Sequence, residues 1–234
     1  MITGAILAGG LGTRLRAVVS DRPKVLAMVR GKPFLAYLLD QLMDGGIREV
    51  VLLTGYRGEQ IHDVFGRRYR SIRLEYSQEE SPLGTAGAIR LALPKIATDT
   101  VLMMNGDSYC AADLGRFQAF HRQQGGDASL MLTHVPDTSR FGKVETAPDG
   151  RVLRFLEKQD AGGEGWINAG LYLLSRGLIE EIPAGQAVSI EREMFPAWSR
   201  AGRLFGHSGG GSFLDIGTPE SYIAAEECFS RRAA

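Results

Sequence analysis

The amino-acid sequence predicts an α/β fold in which a mostly parallel central sheet is flanked by helices, with a smaller β-rich region in the second half. Three observations carry this. Short apolar runs that end at glycine, aspartate or a turn, namely Ile2 to Ala8, Glu49 to Thr54 and Thr100 to Asn105, read as strands buried on both faces. Segments with helical spacing of apolar residues lie between them, and strand, helix, strand, helix, strand is the doubly wound order. After Pro136 the long alternation gives way to shorter, glycine-punctuated segments.

In chain order, Ile2 to Ala8 is a buried strand that feeds the glycine-rich loop Gly9-Gly10-Leu11-Gly12. From Phe34 to Met43 the residues Phe34, Leu35, Leu38, Leu39, Leu42 and Met43 share one helical face, and Gly45-Gly46 supplies the stop. Glu49 to Thr54 is the next strand, Arg57 to Phe65 a polar helix and Ile72 to Tyr76 a third strand. A helix from Thr85 to Leu93 precedes the strand Thr100 to Asn105, which ends at Gly106-Asp107. Asp113 to Gln124 is expected to be helical and Ala128 to Val135 extended. Short strands at Gly142 to Thr146, Arg151 to Glu157 and Ile167 to Leu174 are expected to form a lid or acceptor-binding layer on the same sheet. A helix over Ser189 to Ala201, a last strand ending at Leu214-Asp215-Ile216-Gly217, and a helix from Pro219 to Phe229 with proline in its first turn complete the chain.

Bulk properties narrow the function. With 234 residues and 44% hydrophobic residues, the chain can bury a large core as one domain, 1–234, with halves at about 1–135 and 136–234. Lysine plus arginine equals aspartate plus glutamate at 27 each, so no net field favours a nucleic acid or an acidic membrane. Cys110 and Cys228 belong to no paired motif, and His62, His121, His134 and His207 show no metal-ligand spacing. No apolar run reaches the ~18 residues of a membrane span, and Ile2 to Ala8 leads straight into structured chain rather than a secretory leader. A cytoplasmic protein is expected.

The chemistry-bearing residues sit where strands end. Gly9-Gly10-Leu11-Gly12-Thr13-Arg14 offers unobstructed main-chain N–H groups followed by a guanidinium, which suits a di- or triphosphate. It is neither a P-loop, since the lysine is missing, nor a dinucleotide fingerprint, since Leu15 stands at the third glycine. A glycine cluster is equally what a tight turn needs. Lys24, fixed between Pro23 and apolar residues, is a second cation for the same phosphates. Asp107 and Asp215 each end a strand, where carboxylates can hold Mg²⁺ against a polyphosphate; each taken alone can also be an Asx cap.

Together these segments resemble the nucleotidyltransferases that make NDP-sugars. The likeness runs through Leu7-Ala8-Gly9-Gly10-Leu11-Gly12-Thr13-Arg14-Leu15, Arg22-Pro23-Lys24, Pro82-Leu83-Gly84-Thr85-Ala86-Gly87-Ala88, Gly106-Asp107, Phe155-Leu156-Glu157-Lys158, Asn168-Ala169-Gly170 and Asp215-Ile216-Gly217-Thr218-Pro219, in the family's order over nearly the whole chain. The resemblance implies a Rossmann-like domain that binds an NTP and a sugar 1-phosphate and uses Mg²⁺ held by Asp107 and Asp215. It implies catalytic roles for Arg14, Lys24 and Asp107 and an NTP site of Leu7, Ala8, Gly9, Gly10, Gly12, Thr13, Arg14, Glu79, Pro82, Gly84 and Thr85. Asn105, Gly142, Glu157, Lys158, Asn168 and Gly170 are implied around the sugar phosphate. The chain ends soon after Asp215, so the β-helix acyltransferase domain of some relatives is not expected.

Relatives that use thymidine or uridine nucleotides often carry glutamine where Glu79 stands. A carboxylate only accepts hydrogen bonds, whereas guanine presents N1–H and N2–H₂ donors side by side, so Glu79 favours GTP. Within the family the likeness is strongest to the guanylyltransferases of D-glycero-D-manno-heptose 1-phosphate, which serve surface polysaccharides; mannose 1-phosphate and N-acetylmuramate 1-phosphate stay open as acceptors. A sugar-nucleotide-sensing regulatory subunit would lack the phosphate arginine or a metal aspartate, and all of these are present. Homo-oligomerisation is left open by the sequence.

Overall fold

The computed structural model describes residues 1–10, 12, 14–15, 18–156 and 162–230, with residue 230 as backbone only. In chain order the elements are β1 (Thr3–Leu7), β2 (Met28–Val29), β3 (Lys32–Pro33), α1 (Phe34–Asp44), β4 (Glu49–Thr54), α2 (Gly58–Phe65), β5 (Arg68–Tyr69), β6 (Ile72–Gln78), α3 (Gly84–Ala92), β7 (Thr100–Asn105), β8 (Ser108–Ala112) and α4 (Leu114–Gln123). The second half adds β9 (Ala128–Val135), β10 (Lys143–Thr146), β11 (Val152–Leu156), β12 (Gly165–Ser175), α5 (Arg176–Glu180), α6 (Phe195–Arg200), β13 (Leu204–Asp215) and α7 (Pro219–Ser230).

Nine strands form one sheet in the order β5-β6-β4-β1-β7-β12-β9-β13-β8. The run β6, β4, β1, β7 is parallel, and β9 and β13 point the same way; β12 lies antiparallel between β7 and β9, and β5 and β8 are antiparallel edges. The strand periodicity of two distributes side chains between two cores. Ile6, Val50, Leu52, Leu102 and Met104 face the layer containing Phe34, Leu35, Leu38, Leu39 and Leu42 of α1, Phe117 of α4 and Phe229 of α7. Their neighbours Ala5, Val51, Leu53, Val101 and Met103 face Ala86, Ile89 and Ala92 of α3, Leu178 of α5, and Phe195 and Trp198 of α6. Each fully buried leucine or phenylalanine contributes about 1.5–3 kcal/mol. That sandwich rigidly fixes the strand ends on which the site is built.

Two expectations for the second half need correction. The segment Ile167 to Leu174 belongs to no added layer: β12 is an eleven-residue strand in the middle of the sheet, whereas β10 and β11 pair with each other outside it, as β2 and β3 do in the first half. The glycine inside it marks an irregularity rather than an end, for Gly170 takes φ +75° and the register with β9 shifts between Asn168 and Tyr172. Similarly, the glycines of 206–211 lie inside the twelve-residue strand β13, with a register shift between Gly210 and Phe213. The helix expected over Ser189 to Ala201 is divided into a π-helical turn, Ile190–Met194, and α6, which has Pro196 in its first turn.

Candidate active site

Four parallel strands deliver their C-terminal ends to one edge, the face on which open α/β sheets bind ligands. The chain after β1 turns through Gly9 and Gly10; Ala8 N–H donates to Leu53 O at 2.8 Å, which ties the loop to the end of β4. After β7 the chain turns at Gly106, where any side chain would run into the Leu7 carbonyl and the Val25 methyl. Two connected cavities of about 910 and 920 Å³ open along this edge.

The first cavity is lined by Leu7, Ala8, Gly9, Gly10, Gly12, Arg14, Lys24, Glu79, Pro82, Gly84, Thr85, Asn105 and Asp107. Lys24 opens a short 3₁₀ turn whose Val25 and Leu26 are buried, so the lysine is anchored from behind. Its Nζ donates to Asp107 Oδ2 at 2.8 Å, and its side chain is only 11% exposed against 46% for the aspartate. Arg14 is exposed on the cavity rim. Glu79, just past β6, accepts from Leu83 N–H through Oε2 at 3.0 Å. Gly84 begins α3 at φ +70°, beneath the Val188 carbonyl, where only glycine fits.

The second cavity is lined by Asn105, Asp107, Gly142, Asn168, Gly170 and Asp215, and also by Arg140, Glu191 and Arg14. A partly buried chain of hydrogen bonds organises its floor. Asn168 Nδ2 donates to the Tyr172 hydroxyl at 3.0 Å, that hydroxyl donates to Asn105 Oδ1 at 3.4 Å, and Gly170 N–H donates to Asn168 Oδ1 at 2.9 Å. Burial pushes the Tyr172 phenol far above its ordinary range, so it stays a neutral donor. Asp215 ends β13 opposite Ser108, and Ile216 N–H donates to Asp107 O at 2.9 Å, so main-chain pairing brings the two aspartates to one place. Asp215 Oδ1 accepts from Gly217 N–H at 2.7 Å and Ser221 Oγ at 2.8 Å, and Oδ2 from Arg140 Nη2 at 3.2 Å.

The residues singled out in the sequence therefore fall in two adjoining cavities that share Arg14, Gly84, Thr85, Asn105 and Asp107. Thr13, Glu157 and Lys158 lie outside the described residues. Thr85 lines both cavities, but its hydroxyl is already engaged: it donates to Glu191 Oε2 at 2.8 Å and accepts from Ile190 N–H at 2.8 Å. Asp215 is at once an Asx cap and a cavity carboxylate, so the two readings of that residue are compatible. Sequence reasoning missed Arg140, Tyr172 and Glu191. Glu191 sits on the π-helical turn, a feature often found at functional sites, and faces both cavities.

Residues 3–231 match the nucleotidyl transferase family. The chain belongs to that family. Among curated relatives it is 38% identical over 222 residues to D-glycero-alpha-D-manno-heptose 1-phosphate guanylyltransferase of Aneurinibacillus thermoaerophilus, covering 95% of this chain and 96% of that one. It is 38% identical over 225 residues to mannose-1-phosphate guanylyltransferase of Mycobacterium tuberculosis, covering 95% of this chain and 63% of the relative, so it spans less than two thirds of that protein's length. Among solved structures, HddC from Yersinia pseudotuberculosis superposes with a TM-score of 0.87 at 34% identity, over 98% of this chain and all of the other. The same protein complexed with GMP-PN superposes at 0.84. In this nucleotidyltransferase no helix among the described residues is long and apolar enough to cross a membrane.

Proposed function

We propose that this nucleotidyltransferase joins GTP and D-glycero-α-D-manno-heptose 1-phosphate to form GDP-heptose and pyrophosphate. The observation that carries the reading is the pair of adjoining cavities meeting over Asp107: one has the glycine loop, Arg14, Lys24 and Glu79, the other Asn105, Asn168, Gly170 and Asp215. Such an arrangement suits two phosphate-bearing substrates whose reacting atoms meet at the junction. The preference for GTP rests on the Glu79 carboxylate in the first cavity, and the likeness to two named guanylyltransferases supports it. Heptose is favoured by the likeness to the Aneurinibacillus enzyme over 96% of its length; mannose 1-phosphate is the second reading, at equal identity to the Mycobacterium enzyme. The two halves of the chain, about 1–135 and 136–234, would then be the nucleotide and acceptor halves of one domain.

In the proposed reaction an acceptor phosphate oxygen attacks the α-phosphorus of the NTP. One O–P bond forms, the bond from the α-phosphorus to the bridging oxygen breaks, and its electron pair leaves with pyrophosphate. A phosphate monoester with second pKa near ~6 is already largely dianionic at neutral pH, so no general base is needed. The protein's task is to align two repelling anions and offset the charge that builds on the α-phosphate and leaving group. Lys24, held against Asp107, stands at the junction, and Arg14 lines both cavities.

Asp107 and Asp215 both line the second cavity and, as hard oxygen donors, would hold Mg²⁺ there. When bound, the ion would supply Lewis-acid neutralisation of the polyphosphate. The deciding experiment pairs five NTPs with heptose, mannose, glucose and N-acetylmuramate 1-phosphates and scores pyrophosphate release. GTP with heptose 1-phosphate is expected to be fastest. A maximum at another pair replaces that substrate assignment, and no release from any pair removes the enzyme reading.

A further inference from the structure

The second cavity contains a guanidinium placed with more care than a surface ion pair requires. Arg140 sits on the turn joining β9 to β10, and that turn is braced from within. Thr138 is fully buried, donates to Gly163 O from both its N–H and its hydroxyl, and accepts at its carbonyl from Phe141 N–H and Gly142 N–H at 3.0 Å each. Asp137 accepts from Ser139 N–H at 3.0 Å and Ser139 Oγ at 2.8 Å. The guanidinium lies over the Phe141 ring, 5.3 Å from its centroid, and that ring is edge-on to Phe213 on β13.

From this base Arg140 reaches Asp215 Oδ2 at 3.2 Å, with its side chain half exposed and lining the second cavity. Gly217 N–H and Ser221 Oγ hold the other oxygen, Oδ1, and so fix the carboxylate independently of Arg140. With its arginine end half exposed, the pair is screened by solvent on that side. It does fix the direction of a planar fork with five donors, of which Asp215 takes one. Of the other cations lining the cavity, Lys143 donates to Glu164 O at 3.3 Å, Arg14 also belongs to the first cavity, and Arg192 is an exposed residue of the π-helical turn on the side of Glu191 rather than beside Asp215 in the hydrogen-bond network.

Building on the proposed two-substrate reaction, we infer that Arg140 binds the phosphate of the sugar 1-phosphate, with Asp215 and the Phe141 ring holding its guanidinium in place. A guanidinium fork matches two phosphate oxygens at once, which orients the dianion as well as attracting it. Placed beside Asp215, it would offset the acceptor's charge where that charge approaches the α-phosphate. Asp215 is thus a positioning partner of Arg140 in addition to its proposed metal role.

The test measures binding and turnover together. Titration calorimetry of the NTP-free protein with heptose and mannose 1-phosphates gives acceptor affinity, and steady-state kinetics give KM for each substrate. Arg140→Ala should weaken acceptor affinity and raise acceptor KM by roughly 10- to 150-fold, the loss of charge-assisted bonds, with KM for GTP within about twofold of wild type. Arg140→Lys keeps the charge without the fork and should recover only part of the loss. Arg140→Gln, which retains length and some donors, covers the case in which the alanine variant fails to fold. Unchanged acceptor affinity in the variants, equal losses for GTP and acceptor, or a wild-type protein that binds neither sugar phosphate would overturn the inference. A protein that binds the acceptor through Arg140 yet releases no pyrophosphate with any NTP would instead sink the proposed function.

Discussion

Glu79→Gln separates base reading from loop support, and its size can be worked from the geometry. Glu79 Oε2 accepts from Leu83 N–H at 3.0 Å, and Oε1 stands close over Gly9 and Gly55 at the cavity wall. A glutamine can keep the Leu83 bond through its carbonyl oxygen, which turns its NH₂ toward the first cavity. The loop is therefore retained while an acceptor becomes a donor. Guanine's N1–H and N2–H₂ then meet a donor, and at least one charge-assisted bond of about 1.5–3 kcal/mol is lost. At 1.4 kcal/mol per factor of ten, kcat/KM for GTP should fall roughly 10- to 150-fold. Uracil and thymine present both donor and acceptor, so UTP and dTTP should lose little or gain. The assay is kcat/KM for GTP, UTP and dTTP with one sugar 1-phosphate, beside thermal melts that should coincide with wild type. A uniform fall for every NTP would show that Glu79 acts through the Leu83 loop alone, and an unchanged ranking would refute base reading by this residue.

Three further outcomes are expected. Arg14→Ala should lower kcat by roughly 10² to 10³, the loss typical of one preorganised donor; single-turnover rates check it, and an unchanged rate removes Arg14 from the chemistry. Asp107→Asn and Asp215→Asn should each raise the Mg²⁺ concentration needed for half-maximal rate and weaken Mn²⁺ binding followed by paramagnetic resonance; wild-type values in both measurements would exclude a metal role. His121 is 3% exposed and bonded to Ser129 Oγ at 2.9 Å, and its pKa is lowered from 6.5 to about 4, chiefly by burial. In that window the unfolded chain binds the extra proton, so stability should be full above pH 6.5 and fall by about 3 kcal/mol as pH drops toward 4. Urea denaturation at several pH values, wild type against His121→Gln, checks this; an identical slope in both proteins assigns the effect elsewhere.

The sequence was most readable where local pattern and fold agree. The strand ending at Gly9, the α1 face from Phe34 to Leu42 and the turn at Gly106-Asp107 each carry their own signal, because apolar period and glycine position are local properties. The central strands β12 and β13 were harder to see. Gly170, and Gly206 to Gly211, look like chain breaks in a sequence, yet the sheet accommodates them as irregularities in continuous strands. Arg140 and Glu191 were invisible as site residues for another reason. Their partners Asp215 and Thr85 lie 75 and 106 residues away, and only the sheet order makes them neighbours. Tyr172 reads as one more apolar position in a strand; its hydroxyl gains significance only beside Asn105 and Asn168.

The place of β13 has a consequence for how the molecule is assembled. Residues 204–215 do not cap the sheet but fill a position between β9 and β8, both of which precede them by dozens of residues. Until that strand arrives, β8 has no neighbour in the sheet order and Asp107 has no Asp215 beside it. Pairings at such sequence separation close slowly, because the entropy of ordering the intervening chain must be met first. A growing chain of this protein would therefore carry its glycine loop and Lys24 well before it possessed a complete junction between the two cavities, and recovery of activity on refolding should lag behind recovery of helical signal.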